Sequence, residues 1–535
     1  VTIEYTNNPS WLMVKALPAI SNPTEEDALS LMAAIYANTL SRHIQKTLNV
    51  NAKDIDDASG LASASDTLQK KVNKYVALLK KLQNKDGSFS WWKGMSGSRY
   101  MTTAVAEMMV RLNAIVGRQS STASMLSGAI DYLRQQTARE VKAMKEDEAK
   151  AAQKAARNGK KGEAYQATPS EVALHYLYIV AMDGTCVKLK APALNDMDYL
   201  LGKLKKMTGS LTIYGKAKAA VILALNYDYK TAADYLKSME EYSVYREDMG
   251  RYYDTRKAYY SWRNYKIPTE VAAIEALQAL DAQSIAAISS ASSAISKQQT
   301  IEEMQRWLLM SKRTQVWDTP VNTVDAVYAF MKGNESNWSR KAENAVLKLD
   351  GKLLPMPQDS TTLGYVKTEK TGKASKLSID KKSDYTSWGA VYAEFKQPIS
   401  EIGSMESGIK VRRVIVPAES ESKGNAQVGE KVKVTLIITA DRDYDFVQIT
   451  DKRAACLEPV NQKSGYQWGI GCYVSPRDHA TNFYFDRLSK GKHIVEMEYY
   501  VDRKGDYQSG TCTAECTYSP EFGGRTETYE LKVNN

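Results

Sequence analysis

Across 535 residues no apolar run approaches the roughly 20 residues of a membrane-spanning helix. Membrane association is therefore expected only through a lipid anchor upstream of this segment. Histidine is scarce, at four (His43, His175, His479 and His493), and none of the five cysteines forms a C-x-x-C pair. The ligand sets of structural zinc and the dithiol of a redox site are thus missing, and neither metal nor cofactor is implied. Charge of a single sign is lacking too. The 72 Lys and Arg are interleaved with 62 Asp and Glu, so the net charge of +10 gathers into no basic stripe alternating with aromatics. A nucleic-acid groove is excluded on that pattern. The densest charge run, residues 139–161, mixes signs and is expected to be a solvated helix and turn. A signal peptide is also absent. The chain opens directly into the strand-like residues 1–5, which suggests a piece of something longer.

What is present is an ordinary globular composition, 43% hydrophobic and 25% charged, long enough for two or three domains. Two textures meet near residue 350. Up to there apolar residues recur at helical spacing, as in Leu29-Met32-Ala33-Tyr36-Leu40 and Val72-Tyr75-Val76-Leu79-Leu82. Beyond about residue 364 they alternate, as in Val432-Val434-Leu436-Ile438 and in residues 494–501, between turns such as Lys504-Gly505.

The helical part repeats one device. An aromatic or polar loop leads to a cap and then to an Ala-rich helix, at intervals of about 50–90 residues. Thr168-Pro169-Ser170-Glu171 is read as such a start, with Thr168 as N-cap and Glu171 closing a capping box. Thr319-Pro320 and Pro268-Thr269-Glu270 are read alike. Stacked helical hairpins of this kind close into an α/α toroid or continue as an open solenoid.

Four cysteines, Cys456, Cys472, Cys512 and Cys516, fall in the last ~80 residues, while Cys186 stands apart. In a β-rich segment they fit either two disulfides in an oxidising compartment or four buried thiols. Several other motifs carry little. Asp54-Ile55-Asp56-Asp57 matches the acid string of triterpene cyclases but lies in a polar connection. Gly209 to Lys216 has the wrong spacing for a phosphate loop. Trp91 and Trp92 form a candidate aromatic binding surface, and His175 is read as a satisfied core or boundary histidine.

Asn8-Pro9-Ser10-Trp11 with Val14-Lys15-Ala16-Leu17-Pro18 resembles the strand-to-helix passage of the thioester domain in bacterial alpha-2-macroglobulins. Ile35-Tyr36-Ala37-Asn38-Thr39-Leu40 resembles the helix after their thioester, and Asp86-Gly87-Ser88-Phe89-Ser90-Trp91-Trp92 their D-G-x-F-x-W-W element. At the other end, residues 451–459 and 518–522 resemble the terminal β-sandwich. The resemblance implies a first strand of a small β-domain (1–9), an α/α toroid inserted in it (10–350), the rest of that β-domain (351–407) and a C-terminal macroglobulin sandwich (408–535). It also implies Cys456–Cys516 as one disulfide, which leaves Cys472 and Cys512 as the other.

The family joins a cysteine to a glutamine in C-x-E-Q. Asp27 and Ser30 occupy those two positions here, so no acyl thioester can form. The stretch is read instead as a helix start with Thr24 or Asn22 as cap. The resemblance therefore implies a non-catalytic part of a periplasmic or envelope-associated protein. Its partners would be proteases, held without a covalent bond, or envelope proteins that it scaffolds. The competing reading is a polysaccharide lyase or a terpene-cyclase-like enzyme, which also joins an α/α toroid to β-domains. It requires Tyr, His and Arg converging in an open cleft.

Overall fold

The computed structural model describes residues 1–6, 13–14, 16–48, 65–157, 165–209, 211–247, 249–253, 266–280, 297–311, 317, 319–332, 345–354, 365–370, 372, 374–382, 387–394, 396–417, 425–517 and 522–534. The Asp54–Asp57 string and the aromatic loops at 7–12 and 259–262 lie outside them. The chain divides into two compact units, Val1–Ala393 and Glu394–Asn535. The first is mainly helical and the second is built of strands.

In the first unit, six helices are buried on nearly every face: Ala28–Leu48, Arg99–Val116, Glu171–Met182, Ile213–Leu225, Lys266–Ala279 and Pro320–Met331. Each packs on the next in that order, and Pro320–Met331 packs back on Ala28–Leu48. Their sequences explain this. Ile213–Leu225 is almost wholly small or aliphatic, and a helix apolar all round must sit inside. The remaining long helices are striped instead. Ser65–Lys80 buries Leu68, Val72, Tyr75 and Leu79, one face at i, i+4, i+7, i+11, and lays that face on Ala28–Leu48. Tyr229–Met239 covers Ile213–Leu225, and Lys297–Met310 covers Lys266–Ala279. The charged run at 139–161 falls largely in the 38-residue helix Ser120–Arg157, exposed over its last turns as its mixed charges require.

Capping sets where these helices begin. Thr319 accepts from the Asn322 amide at 3.1 Å with Pro320 in the first turn, as its sequence indicates. At 168–171 the cap is Ser170 rather than Thr168. Its hydroxyl accepts from Ala173 N at 3.2 Å, and its own amide donates to Glu140 at 2.8 Å. That carboxylate comes from a distant helix, so the choice is tertiary. The third start lies two residues before Pro268, at Lys266.

In sequence the helices lie between the strands of one sheet. Strand Thr2–Thr6 runs antiparallel between Tyr365–Glu369 and Trp388–Tyr392. A second sheet, Val346–Leu349 flanked by Lys352–Leu354 and Leu377–Asp380, shares a core with it through Ile3, Tyr5, Leu347 and Leu349.

In the second unit eleven strands follow one another in a ladder, with a change of direction at Gly408. Met405–Ser407 pairs with Gly523–Arg525, and from there the ladder runs through Cys512–Cys516, Tyr444–Lys452, Ala480–Leu488, Cys472–Pro476 and Gly465–Gln467. Past Gly408, Ile409–Pro417 turns to Lys431–Ala440, then Gly491–Val501 and Leu457–Pro459. Alternation assigns the faces, with Val432, Val434, Leu436 and Ile438 all buried.

Gly408 has φ +78°, and a Cβ there would come within 1.9 Å of the Tyr444 hydroxyl, itself bonded to Asp441 at 2.7 Å. Gly429 has φ +89° with open space around it. Gly408→Ala is therefore expected to cost the backbone strain of about 1 kcal/mol and the displaced tyrosine bond in addition, about 2–3 kcal/mol together. Gly429→Ala is expected to cost only the former, and urea unfolding of the two variants gives the comparison.

Candidate functional site

The chain leaves the short helix Leu17–Ser21 and enters Ala28–Leu48 through Asp27. Oδ1 of Asp27 accepts from the amides of Leu29 (2.9 Å) and Ser30 (3.1 Å). This is N-cap geometry, with the carboxylate set against the positive end of the helix. Thr24 and Asn22 are exposed and precede the helix by too many residues to cap it. Asn38, one helical face below, anchors the same helix to the preceding turn by donating to Ser21 O at 2.8 Å.

The amide of Ala28 donates to Trp91 O at 3.2 Å. The structure thus brings Asp27 and Ser30 beside the Trp91–Trp92 loop, some sixty residues away. That loop is stiff. Asn84 Nδ2 donates to the hydroxyls of Ser88 and Ser90 at 3.0 Å each, and Phe89 N donates to Thr102 Oγ1 at 2.8 Å. At Gly87 (φ +89°) a Cβ would lie 2.1 Å from Gly128 O. Trp91 and Trp92 stack at 6.4 Å, and Trp91, Met95 and Tyr100 are each about half exposed (48%, 50% and 51%).

A second constellation escaped the sequence reading. Glu107 and Arg111, four residues apart on the otherwise apolar Arg99–Val116, meet charged partners from the other buried helices. The Arg111 guanidinium pairs with Glu107 (3.1 Å), Glu275 (3.3 Å) and Asp325, and its Nε donates to Tyr178 Oη at 3.1 Å. Glu107 accepts from Lys218 at 2.5 Å and meets His175 Nδ1, whose Nε2 faces Tyr214 Oη at 2.8 Å. Glu275 accepts from Tyr178 (2.6 Å) and Tyr328 (2.9 Å). Burial pushes the Glu107 carboxyl up, but Lys218, His175 and Arg111 outweigh it and hold it well below its usual range. The readable signal was a charge in the middle of a helix with no polar face. Glu107, Arg111, Lys218, Glu275 and Asp325 are at most 6% exposed. The Tyr, His and Arg of a lyase do converge here, but inside the unit, where they satisfy one another. Among the described residues no group of three His, Cys, Asp or Glu is set to hold a metal ion.

Residues 408–521 match the family model described as the bacterial alpha-2-macroglobulin MG10 domain. That segment is alpha-2-macroglobulin-like. Among solved structures the chain is similar to native Escherichia coli alpha-2-macroglobulin at 13% identity and TM-score 0.35, covering 100% of this chain and 31% of that one. The same protein activated by trypsin gives 13%, 0.41, 100% and 34%, and Salmonella alpha-2-macroglobulin reacted with methylamine gives 13%, 0.37, 100% and 31%. At TM-scores of this size no shared overall arrangement follows. The chain spans about a third of the length of these relatives. No curated protein matches it. No helix among the described residues is long and apolar enough to cross a membrane.

The C-terminal unit holds its own buried charge. Arg413 pairs with Asp451 at 2.8 Å and donates to Ser509 Oγ (2.8 Å) and Gly510 O (2.6 Å), beneath the Tyr529 ring. Its four cysteines are buried and no disulfide joins them, which corrects the expected pairing. Cys512 lies level with Asp451 and Cys516 with Val447, roughly 14 Å apart along one strand. Cys456 follows the Lys452 end of the partner strand and so lies at the Cys512 end, away from Cys516. Cys472 precedes Tyr473, which faces Tyr484 on a strand two removed from that of Cys512. Three ladder steps, about 14 Å, exceed the Cα separation a disulfide spans.

Two predictions follow from these geometries. Arg111→Met leaves Glu275 and Asp325 buried without their cation, and thermal or urea unfolding of the variant is expected to show a loss of about 3–5 kcal/mol. Burial raises the thiols of Cys456 and Cys472 to about 11, and that of Cys512 well above its usual range. In the native protein at neutral pH, iodoacetamide is therefore expected to leave all three unmodified. In denaturant without reductant it is expected to alkylate all three, as read by peptide mass.

Proposed function

We propose that this chain is the C-terminal, non-catalytic part of an envelope-associated alpha-2-macroglobulin-like protein that engages proteases without a covalent bond. Its helical unit would be an α/α toroid inserted in a small β-domain. Two features support this architecture: the cyclic order of the six buried helices, and the position of strand Thr2–Thr6 between partners that follow the last helix. The C-terminal unit would be a β-sandwich whose two sheets are joined by the strand that changes partners at Gly408. With no disulfide in this unit, the envelope location rests on the MG10 domain alone.

The observation that carries the non-covalent part is the Asp27 carboxylate. By the sequence resemblance it stands where the family has its thioester cysteine, and both of its bonds to amides serve the helix. A carboxylate and the Ser30 hydroxyl hold no activated acyl group. Trapping would then be steric, within a longer protein whose cleavable segment precedes this one. The enzyme reading is not favoured, because the Tyr–His–Arg constellation is internally bonded and, apart from the half-buried His175, lies in the interior.

Incubation with methylamine is expected to leave the intact mass unchanged and to release no thiol. A stoichiometric adduct within residues 24–31 would overturn the assignment of Asp27. The chain on its own is expected not to slow a general protease acting on a protein substrate at stoichiometric ratio, whereas the full-length protein is expected to slow it.

A further inference from the structure

The strand that changes partners at Gly408 leaves one edge of the ladder open. The amide of Asp441 donates to Gly408 O at 3.0 Å, which makes Ile409 and Ala440 a non-hydrogen-bonded pair. By alternation, Lys410, Arg412, Val414 and Val416 are the residues bonded to Lys431–Ala440. The backbone N–H and C=O groups of Val411, Arg413 and Ile415 point the other way. No described strand pairs with them there, since Met405–Ser407 has already turned to Gly523–Arg525. The two ladders diverge from that point and leave an opening of about 770 Å³ beside the free edge. Apolar side chains of Val411, Ile415, Val432 and Leu531 line it.

An edge that offers donors and acceptors alternately, beside an apolar slot, is complementary to one kind of molecule: an extended polypeptide adding a strand. Charge then narrows the choice. Lys410 and Arg412 are exposed on the outer face of the edge strand, Lys410 in a solvent-exposed pair with Glu406 at 2.8 Å, and a new strand would set its own outward residues against them. A second copy of this edge would place Lys and Arg opposite Lys and Arg, which is destabilising. Glu530 also lines the opening, but it belongs to strand Glu530–Asn534, which pairs with Gly505–Gln508 and not with the edge strand.

We propose that the free edge at Val411, Arg413 and Ile415 is a docking site for an extended segment of a partner protein. The segment alternates acidic residues, facing Lys410 and Arg412, with aliphatic residues that enter the slot. This inference is independent of protease trapping and requires only the C-terminal unit as folded here.

The test uses the whole chain and a fluorescein-labelled, acetylated peptide of alternating glutamate and valine, with binding read by anisotropy. Saturable binding is expected. Lysine in place of glutamate is expected to weaken it roughly tenfold, as is methylation of the backbone nitrogens that would pair with the edge. Arg412→Glu leaves the backbone untouched and is expected to shift the preference toward the lysine peptide. Ile415→Pro removes an edge donor without touching the ladder to Lys431–Ala440, and is expected to abolish binding with the fold retained by circular dichroism. Four outcomes would overturn the proposal: no binding of any peptide, equal or tighter binding of the lysine peptide by the unaltered chain, indifference to N-methylation, or concentration-dependent dimers in sedimentation that Arg412→Glu disperses.

Discussion

Arg111 and Glu107 sit one helical turn apart, and between them they reach four other helices: through Asp325, Glu275, Tyr178 and His175, and Lys218. Charges this deeply buried gain little net stability from pairing, because removal from water offsets most of the attraction. A set of well-packed apolar side chains would serve stability as well or better. The charges impose a condition instead. Apolar helices built from small and aliphatic residues, such as Ile213–Leu225 and Lys266–Ala279, can slide against one another at small cost. A guanidinium shared among a tyrosine and three carboxylates is satisfied in only one arrangement. If one helix is misplaced, the others keep uncompensated charges in the interior, at several kcal/mol. The arrangement of the first unit thus depends on this network, while its stability depends on the apolar faces around it.

The second unit solves a different problem by a different device. A ladder of eleven strands must curl or divide, and it turns at Gly408, where the positive φ and the nearby tyrosine hydroxyl leave no room for a side chain. The same bend places Arg413 where its guanidinium reaches Asp451, Ser509 and Gly510, joining the strand on one side of the bend to strands and loops on the other. The turn also has a consequence at its outer side. A strand that leaves one neighbour before it has run the length of the next exposes part of its backbone, and here that part is the outward-facing groups of the alternate residues Val411, Arg413 and Ile415.

Much of this architecture was legible in local pattern. The helical period up to residue 350 and the alternation in Val432-Val434-Leu436-Ile438 separate the two units, and Thr319-Pro320 marks a helix start correctly. Failures occurred where a distant residue decides. Ser170 displaces Thr168 as cap because Glu140, thirty residues earlier, binds its amide and hydroxyl. The spacing of Glu107 and Arg111 could be read, but the convergence of Lys218, Glu275 and Asp325 on them is a property of packing. The cysteine pairing came from resemblance, and strand register overrules it. In a ladder, residues near in sequence alternate faces, and residues on one face can still be separated by three strand spacings.

At Asp27 the local structure is that of an ordinary capped helix start. Asp27 now supplies what any helix start needs, an acceptor for its first amides, and Trp91 O accepts from Ala28. The loop carrying Trp91 is held by Asn84, Thr102 and the contact of Gly87 with Gly128, far more than a surface connection requires. A rigid loop that presents half-exposed Trp91 and Met95 loses little conformational entropy when another surface covers it. A helix start of this kind can change its capping side chain without disturbing the surface beside it, because the cap and the tryptophan loop are joined by a backbone bond, Ala28 N to Trp91 O, that no side chain at position 27 enters.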